Sequence, residues 1–335
     1  MEGLQAPTGT PGSSSRPPLS WRARISFVLV LLLVLAVLAA TPIVIRSLRY
    51  SMAAIAHTPV YDLVTGRMRE HAQVMAGENL MYLNLSISDI EESTRTATII
   101  VAGNRDCSAT CRPLHLTVFS MDLDGSLLPG LPPSAVIHVP DGENAISQTV
   151  TLPVSGNPQR YPFDAYTLII GLSAMETMPD GKIIVPSREE VLGSNALTVN
   201  STLTRLSMHP PVPVPMVEHA PASQVHKFFA MQRIVFHRPA YIQIICTLLV
   251  VLISASGFFA LGTQTLRQLS IGIGGLILGI WGVRSIVIQG DLPDLTLVDT
   301  ILAIIILLLL LGLAVRVALA IHRGESWTIA EAQER

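Results

Sequence analysis

Few residues in this 335-residue chain have the types and spacing that catalysis or metal binding requires. The nine histidines are scattered, and the seven-residue gap between His219 and His226 is not a metal-ligand spacing. The stretch Gly171-Leu-Ser173 lacks the second glycine of a nucleophile elbow. The acidic pairs Glu91-Glu92 and Glu189-Glu190 are typical of solvated turns rather than of an acid–base couple. We therefore expect no catalytic, cofactor-binding or metal-binding residues, and a protein that is not an enzyme.

The cysteines offer one candidate for redox chemistry. Cys246 lies inside a long apolar run, whereas Cys107 and Cys111 are separated by three residues. That gap can close into a tight disulfide loop if the chain turns there, and such a bond persists only in an oxidising compartment. The alternative, a metal site that includes His115, would need further ligands at close spacing. The spacing favours a Cys107–Cys111 disulfide.

Apolar runs of the length of a membrane span organise the chain. They cover residues 25–45, 240–261, 269–288 and 300–321. Because about 20 consecutive apolar residues suffice to cross a bilayer, each run is predicted to be a transmembrane helix. The first run follows arginines 16, 22 and 24, which is typical of an uncleaved signal anchor. A cleaved signal peptide is the alternative, since small residues near Ala39-Ala40 resemble a cleavage site.

Small and charged residues stand out within these runs. Gly275 and Gly279 form a small-xxx-small pair, which predicts close helix packing. Arg284 could reach the membrane interface, carry a transport function, or pair with an acidic residue of the following loop, namely Asp291, Asp294 or Asp299. Arg316 is expected to be an interfacial anchor at the opposite membrane face.

The remaining sequence predicts one folded domain between the first and second spans. Residues 1–20 are rich in Pro, Gly and Ser and are expected to be a disordered cytoplasmic tail, and residues 322–335 a second cytoplasmic tail. Residues 47–239 contain roughly eight or nine short alternating stretches separated by turn signals. The predicted fold class is a membrane α+β protein, in which four transmembrane helices, one amino-terminal and three carboxy-terminal, anchor an extracytoplasmic antiparallel β-sandwich.

Composition and charge restrict the partners. Half of the residues are hydrophobic, only 14% are charged, and the formal net charge is −2, so a nucleic-acid partner is not expected. The distribution of arginine over the short loops places both termini in the cytoplasm and residues 47–239 outside the cell membrane. We expect the lipid bilayer, an unknown envelope protein or ligand, and a possible homo-oligomer as partners.

The most specific motif of the predicted domain is Tyr161-Pro162-Phe163-Asp164. Pro162 restricts the backbone, Phe163 is expected to anchor the core, and Asp164 could accept hydrogen bonds from turn amides at a strand start. The motif predicts a structural corner.

This corner, the three closing spans and the stretch from Val283 to Asp299 resemble a family of uncharacterised membrane proteins best known from actinobacteria. The resemblance covers roughly residues 25–321. It implies an amino-terminal span, an outside domain containing the Tyr-Pro-Phe-Asp sequence and three closing spans. It implies no activity.

The corner and the segment from Arg233 to Pro239 are also similar to pentameric ligand-gated channels. Those proteins carry an aromatic-Pro-aromatic-Asp corner in an extracellular β-sandwich. This chain departs from them because its cysteines lie far upstream of the corner and only three spans follow the domain. We therefore expect a non-enzymatic binding or envelope-interaction protein, with a channel-like subunit as the alternative.

Overall fold

The computed structural model describes residues 21–56, 58–69, 81–106, 112–120, 134–178, 180–184, 195–214, 230–263, 266–287 and 295–322. The helices of this part are α1 (Trp21–Ala56), α2 (Ala240–Thr263), α3 (Leu266–Val287) and α4 (Leu297–His322). The strands are β1 (Val60–Asp62), β2 (Met68–Arg69), β3 (Met81–Glu91), β4 (Thr96–Arg105), β5 (Leu114–Ser120), β6 (Ser134–Val139), β7 (Ala145–Pro153), β8 (Ser155–Gly156), β9 (Ala165–Thr177), β10 (Ile183–Ile184), β11 (Asn195–Ser201), β12 (Ser207–Met208), β13 (Val212–Pro213) and β14 (Ala230–His237).

The strands form two sheets. The first has the order β2-β1-β11-β3-β4-β7, and the second is built on β12-β14-β9-β5-β6, with β8 and β10 paired to β9 and β13 paired to β14. Strand pairs are antiparallel except for β11 and β3, which run parallel with Leu197 opposite Leu83. The predicted mostly antiparallel, sandwich-like sheet structure is therefore present.

Alternating side chains explain why the two sheets pack face to face. Along β3 the burial pattern alternates strictly from Met81 to Ile87, as a half-buried strand requires. Leu83 of the first sheet and Leu116 and Leu168 of the second are fully buried in one apolar cluster. The core therefore lies between the sheets.

The helices contact one another in a defined order. Helix α1 packs on α2, and α2, α3 and α4 contact one another. Among the described residues, two helical segments are long and apolar enough to cross a membrane, Ala240–Phe259 and Leu297–His322, while α3 contains a shorter apolar stretch, Leu269–Gly282. Large apolar side chains remain exposed on these helices, among them Trp281 at 61% and Leu307 at 66%. An apolar outer surface of this kind is expected where lipid surrounds a helix.

Helix α1 continues well beyond the predicted first span. It runs to Ala56 although the apolar run ends at residue 45. The backbone N–H of Tyr241, in the first turn of α2, donates to Ser47 Oγ at 3.1 Å. Because first-turn N–H groups have no partner within their own helix, this bond fastens α1 to the beginning of α2.

The predicted close packing of Gly275 and Gly279 is not formed with any described residue of the same chain. A Cβ atom at either position would meet no heavy atom within 4 Å. The close helix approach occurs instead at Gly257 of α2, where a Cβ would lie 2.7 Å from Leu309 Cδ2 of α4. Because Gly257, Gly275 and Gly279 are all glycines, residue type does not distinguish them, and only the orientation of each helix decides which of them faces a neighbour.

Candidate functional site

The predicted corner is formed immediately before β9. A 3₁₀ turn, Pro158–Arg160, begins after Asn157, whose side chain accepts from the N–H of Gln159. The Tyr161–Pro162 peptide bond is cis, and the N–H of Phe163 donates to the Arg160 carbonyl at 2.8 Å. Asp164 then precedes the strand directly.

Asp164 does not cap the turn but forms an ion pair with Arg238. Arg238 lies between the end of β14 and Pro239, directly before α2. Its Nε donates to Asp164 Oδ1 at 3.2 Å and to Oδ2 at 3.1 Å. Its Nη2 also lies 3.1 Å from Asp164 Oδ2. This forked contact is the arrangement in which a guanidinium binds a carboxylate most strongly.

A second carboxylate completes the cluster. Arg238 Nη2 donates to Glu92 Oε2, and the hydroxyl of Tyr166 lies 3.5 Å from the same oxygen. The side chains of Arg238, Glu92 and Asp164 are only 5%, 2% and 0% exposed. We refer to Glu92, Asp164 and Arg238 together as the junction cluster.

The junction cluster joins three parts of the fold. Glu92 follows β3 in the hairpin of the first sheet, Asp164 precedes β9 of the second sheet, and Arg238 leads into α2. One guanidinium therefore holds both sheets at the point where the chain leaves the sandwich for the helices. Changing the relative position of these parts requires a buried charge to lose its partner.

Tyr161 extends the contact into the helices. The Arg238 guanidinium carbon lies 5.0 Å from the centre of the Tyr161 ring, within the range of a cation–π interaction. The Cys246 thiol of α2 lies 4.0 Å from the Tyr161 hydroxyl. Tyr161 also belongs to an apolar cluster with Val298 and Leu302 of α4. The corner therefore packs directly on the helices.

Burial and charge set the protonation of the cluster. Burial raises the pKa of Glu92 and Asp164 raises it further, whereas Arg238 lowers it. Burial also raises the pKa values of Tyr161 and Tyr166 above their ordinary value, so both phenols stay neutral. For Arg238, burial lowers the pKa, but the hydrogen bonds that it donates to Asp164 and the charge of Glu92 leave the pKa raised. Because its pKa is raised, the Glu92 carboxyl takes up a proton at a higher pH than a solvent-exposed glutamate would.

Sequence reasoning was wrong about two residues of this site. Phe163 was expected to be the core anchor, but its side chain is 53% exposed, and Tyr161 and Tyr166 are buried instead. Glu92 was interpreted as part of a solvated turn, yet only its neighbour Glu91 is exposed. Continuing the alternation of Met81 to Ile87 would place Glu92 on the solvent face. A bulge between Ile87 and Asp89 shifts the register, so that Ile90 and Glu92 are buried and Glu91 is exposed, and the alternation alone does not predict this.

The other charged residue singled out by the sequence has a structural partner. Arg284 Nε lies 2.5 Å from Asp299 Oδ1, one of the three acidic candidates. Asp299 Oδ2 accepts from the N–H of Thr296, and the N–H of Asp299 donates back to Thr296 Oγ1. This reciprocal pair is a capping box at the start of α4. Arg284 thus fastens α3 to a helix amino terminus that is already capped, which favours pairing over a transport function.

The positions of the remaining predicted site residues do not indicate a function. Arg316 is half-buried near the carboxyl end of α4. Asp291 and Asp294, and also Cys107 and Cys111, lie outside the described residues, so the disulfide stays a prediction. His115 contacts His138 across the sheet, with ring centres 4.6 Å apart. In the described segments no three His, Cys, Asp or Glu side chains are grouped so that they could hold a metal ion.

Comparison with known proteins gives one match. A family described as a domain of unknown function (DUF4436) matches residues 122–214, which include the Tyr161–Asp164 corner but neither Glu92 nor Arg238. No curated protein matches the chain. The match supports the predicted resemblance to an uncharacterised domain family and assigns no activity.

The junction cluster makes a prediction about stability. Arg238→Gln leaves two buried carboxylates without a counter-charge and should lower the free energy of unfolding by about 3–5 kcal/mol. The control is Arg67→Gln. Arg67 is an exposed arginine near β2, so its replacement should change the free energy of unfolding by no more than about 0.5 kcal/mol. Thermal unfolding of the full chain in detergent measures both, and equal shifts in melting temperature would contradict a stabilising cluster.

A second prediction concerns pH. Because the folded state raises the pKa of Glu92 above its ordinary value of 4.5, the stability that its proton contributes is complete below that value. That stability is lost as pH rises through the folded-state pKa. Glu92→Gln removes the titrating group, so its melting temperature should depend less on pH above 4.5 than that of the natural chain. Glu91→Gln changes an exposed neighbour and should leave the profile unchanged; parallel profiles for all three proteins would refute the assignment.

Proposed function

We propose that the protein is a four-span integral membrane protein that presents its β-sandwich outside the cytoplasm. The spans are residues 25–45, 240–261, 269–288 and 300–321, with both termini in the cytoplasm. Two observations support this arrangement. Two helical segments have the length and composition of membrane spans, and large apolar side chains cover the outside of the helices.

The proposed activity is binding without catalysis. The sandwich takes an envelope protein or ligand, and the junction cluster holds the occupied sandwich in a fixed relation to the helices. The observation that carries this proposal is the nearly complete burial of Glu92, Asp164 and Arg238 where the sandwich meets α2. Carboxylates that are bonded to a guanidinium and closed to solvent cannot reach a substrate, but they can transmit a displacement of one sheet to the helix.

Site-specific cross-linking tests this function. A photocrosslinking amino acid is placed at Val136, which is 50% exposed on β6, in the full chain expressed in its native membrane. We expect a defined adduct with an envelope component after irradiation. The matched control position is Leu307 on α4, which is 66% exposed and should face lipid. No adduct at Val136 above the Leu307 background would refute a binding function of this face of the sandwich.

A channel-like subunit is the second candidate, because none of the described residues covers the glycine-bearing face of helix α3. Cβ atoms built at Gly272, Gly274, Gly275 and Gly279 would meet nothing within 4 Å, and Leu278 is 75% exposed. In a ring of subunits such a face would contact a neighbour or line the axis. The junction cluster also lies where a sandwich domain would act on the first closing span.

The mass of the full chain in detergent distinguishes the two candidates. Mass photometry should give a monomer or dimer if the protein is a membrane-anchored binding protein. A pentamer would favour the channel. If a ring forms, replacing Gly275 by Leu should break it, because a bulky side chain would fill the face that meets the neighbouring subunit. Thr151→Leu, at an exposed position of the sandwich, should not break the ring.

A further inference from the structure

A cavity of about 290 Å³ lies between the end of helix α1 and the first sheet. It is lined by Tyr50 of α1, by Thr58, Pro59 and Tyr61 at the start of the sandwich, and by residues between 201 and 208 that connect β11 to β12. At about 30 Å³ per water molecule, its volume corresponds to roughly ten waters. That is the size of one sugar ring, at the lower end of the range for small-molecule sites.

The wall of this cavity is rich in hydroxyl groups. They belong to Tyr50, Thr58, Tyr61, Ser201, Thr202, Thr204 and Ser207, and none of the residues lining the cavity is charged. Two of these hydroxyls already bond within the chain, since Thr202 Oγ1 donates to the Ile87 carbonyl and Ser201 Oγ accepts from the N–H of Leu203. Burial raises the pKa of Tyr61, and Tyr50 raises it further, so this phenol is a neutral donor. Leu206 and Met208 add apolar surface. Neutral donors and acceptors beside aromatic and apolar faces suit a ligand with many hydroxyls on a ring.

The wall is held in place before any ligand binds. Tyr61 is fixed in β1 opposite Val199 of β11. The N–H of Thr202 donates to the Ile87 carbonyl at 3.0 Å, and the N–H of Leu203 donates to Ser201 Oγ at 3.3 Å. Because these bonds fix the segment after β11, little ordering is needed on binding, which favours affinity.

We propose that this cavity binds a neutral glycosyl group, either a free sugar or the head group of a glycolipid. A charged ligand would lose its hydration there without gaining a counter-charge. Both sources fit the position, since Tyr50 lies just beyond the predicted first span, where a lipid head group would sit. The proposal rests on the proposed binding function and names its ligand class.

Saturation-transfer NMR on the full chain in phosphatidylcholine nanodiscs tests the site. The free-sugar probe is methyl β-D-glucoside, and the lipid probe is monoglucosyl diacylglycerol added to the nanodisc, which should displace the soluble glucoside. Tyr61→Phe keeps the buried ring and removes one hydroxyl, and Thr204→Val removes a second. The double variant should weaken glucoside binding about tenfold or more. Thr151→Val on exposed β7 is the matched control and should bind as the natural chain does.

The outcomes separate this inference from the proposed function. Displacement by the lipid assigns the site to a glycolipid, and glucoside binding without displacement assigns it to a free sugar. Absence of binding in both arms, equal binding of the double variant, or equally strong binding of glucuronate would overturn the inference. An adduct at Val136 that persists in such a case would leave the binding function standing without this ligand.

Discussion

The fold depends on neutralising one buried guanidinium at the end of the sandwich. Arg238 is separated by 74 residues from Asp164 and by 146 from Glu92, yet all three side chains meet out of contact with solvent. An unpaired charge in such a place is strongly destabilising, so the hairpin, the corner and the strand–helix junction must all be positioned correctly at once. The cluster therefore stabilises one relative position of the two sheets and the helices over the others.

Tyr161 adds a second contact between the sandwich and the helices, since its ring lies beside Arg238 and its hydroxyl lies near Cys246 of α2. The helices are also joined to each other, because Ser47 of α1 accepts from the first turn of α2. Polar contacts thus determine alignment, while apolar packing supplies cohesion. A displacement of the corner would therefore disturb the contacts of Tyr161 with Arg238 and with Cys246 of α2.

Within the helices, a charged pair stabilises the amino-terminal end of α4. Asp299 closes a capping box at the start of α4 and also accepts from Arg284 of α3. Placing a carboxylate in the first turn suits the positive end of the helix dipole. This ion pair gives Arg284 a counter-charge beside the apolar segment of α4 and joins α3 to α4. The uncovered glycine face of α3 is the part of the helices that these contacts leave unassigned.

The sequence by itself determined the features that follow from local pattern. Runs of apolar residues predicted the helices, alternation predicted strands such as β3, and Pro162 with its neighbours predicted the corner, because length, period and backbone restriction act over a few residues. The bounds of α1, the exposure of Phe163 and the open side of Gly275 depended on how the elements pack. Glu92 shows the limit most clearly. A glutamate is buried only if a distant partner compensates its charge, and the tertiary structure alone brings Arg238 to it.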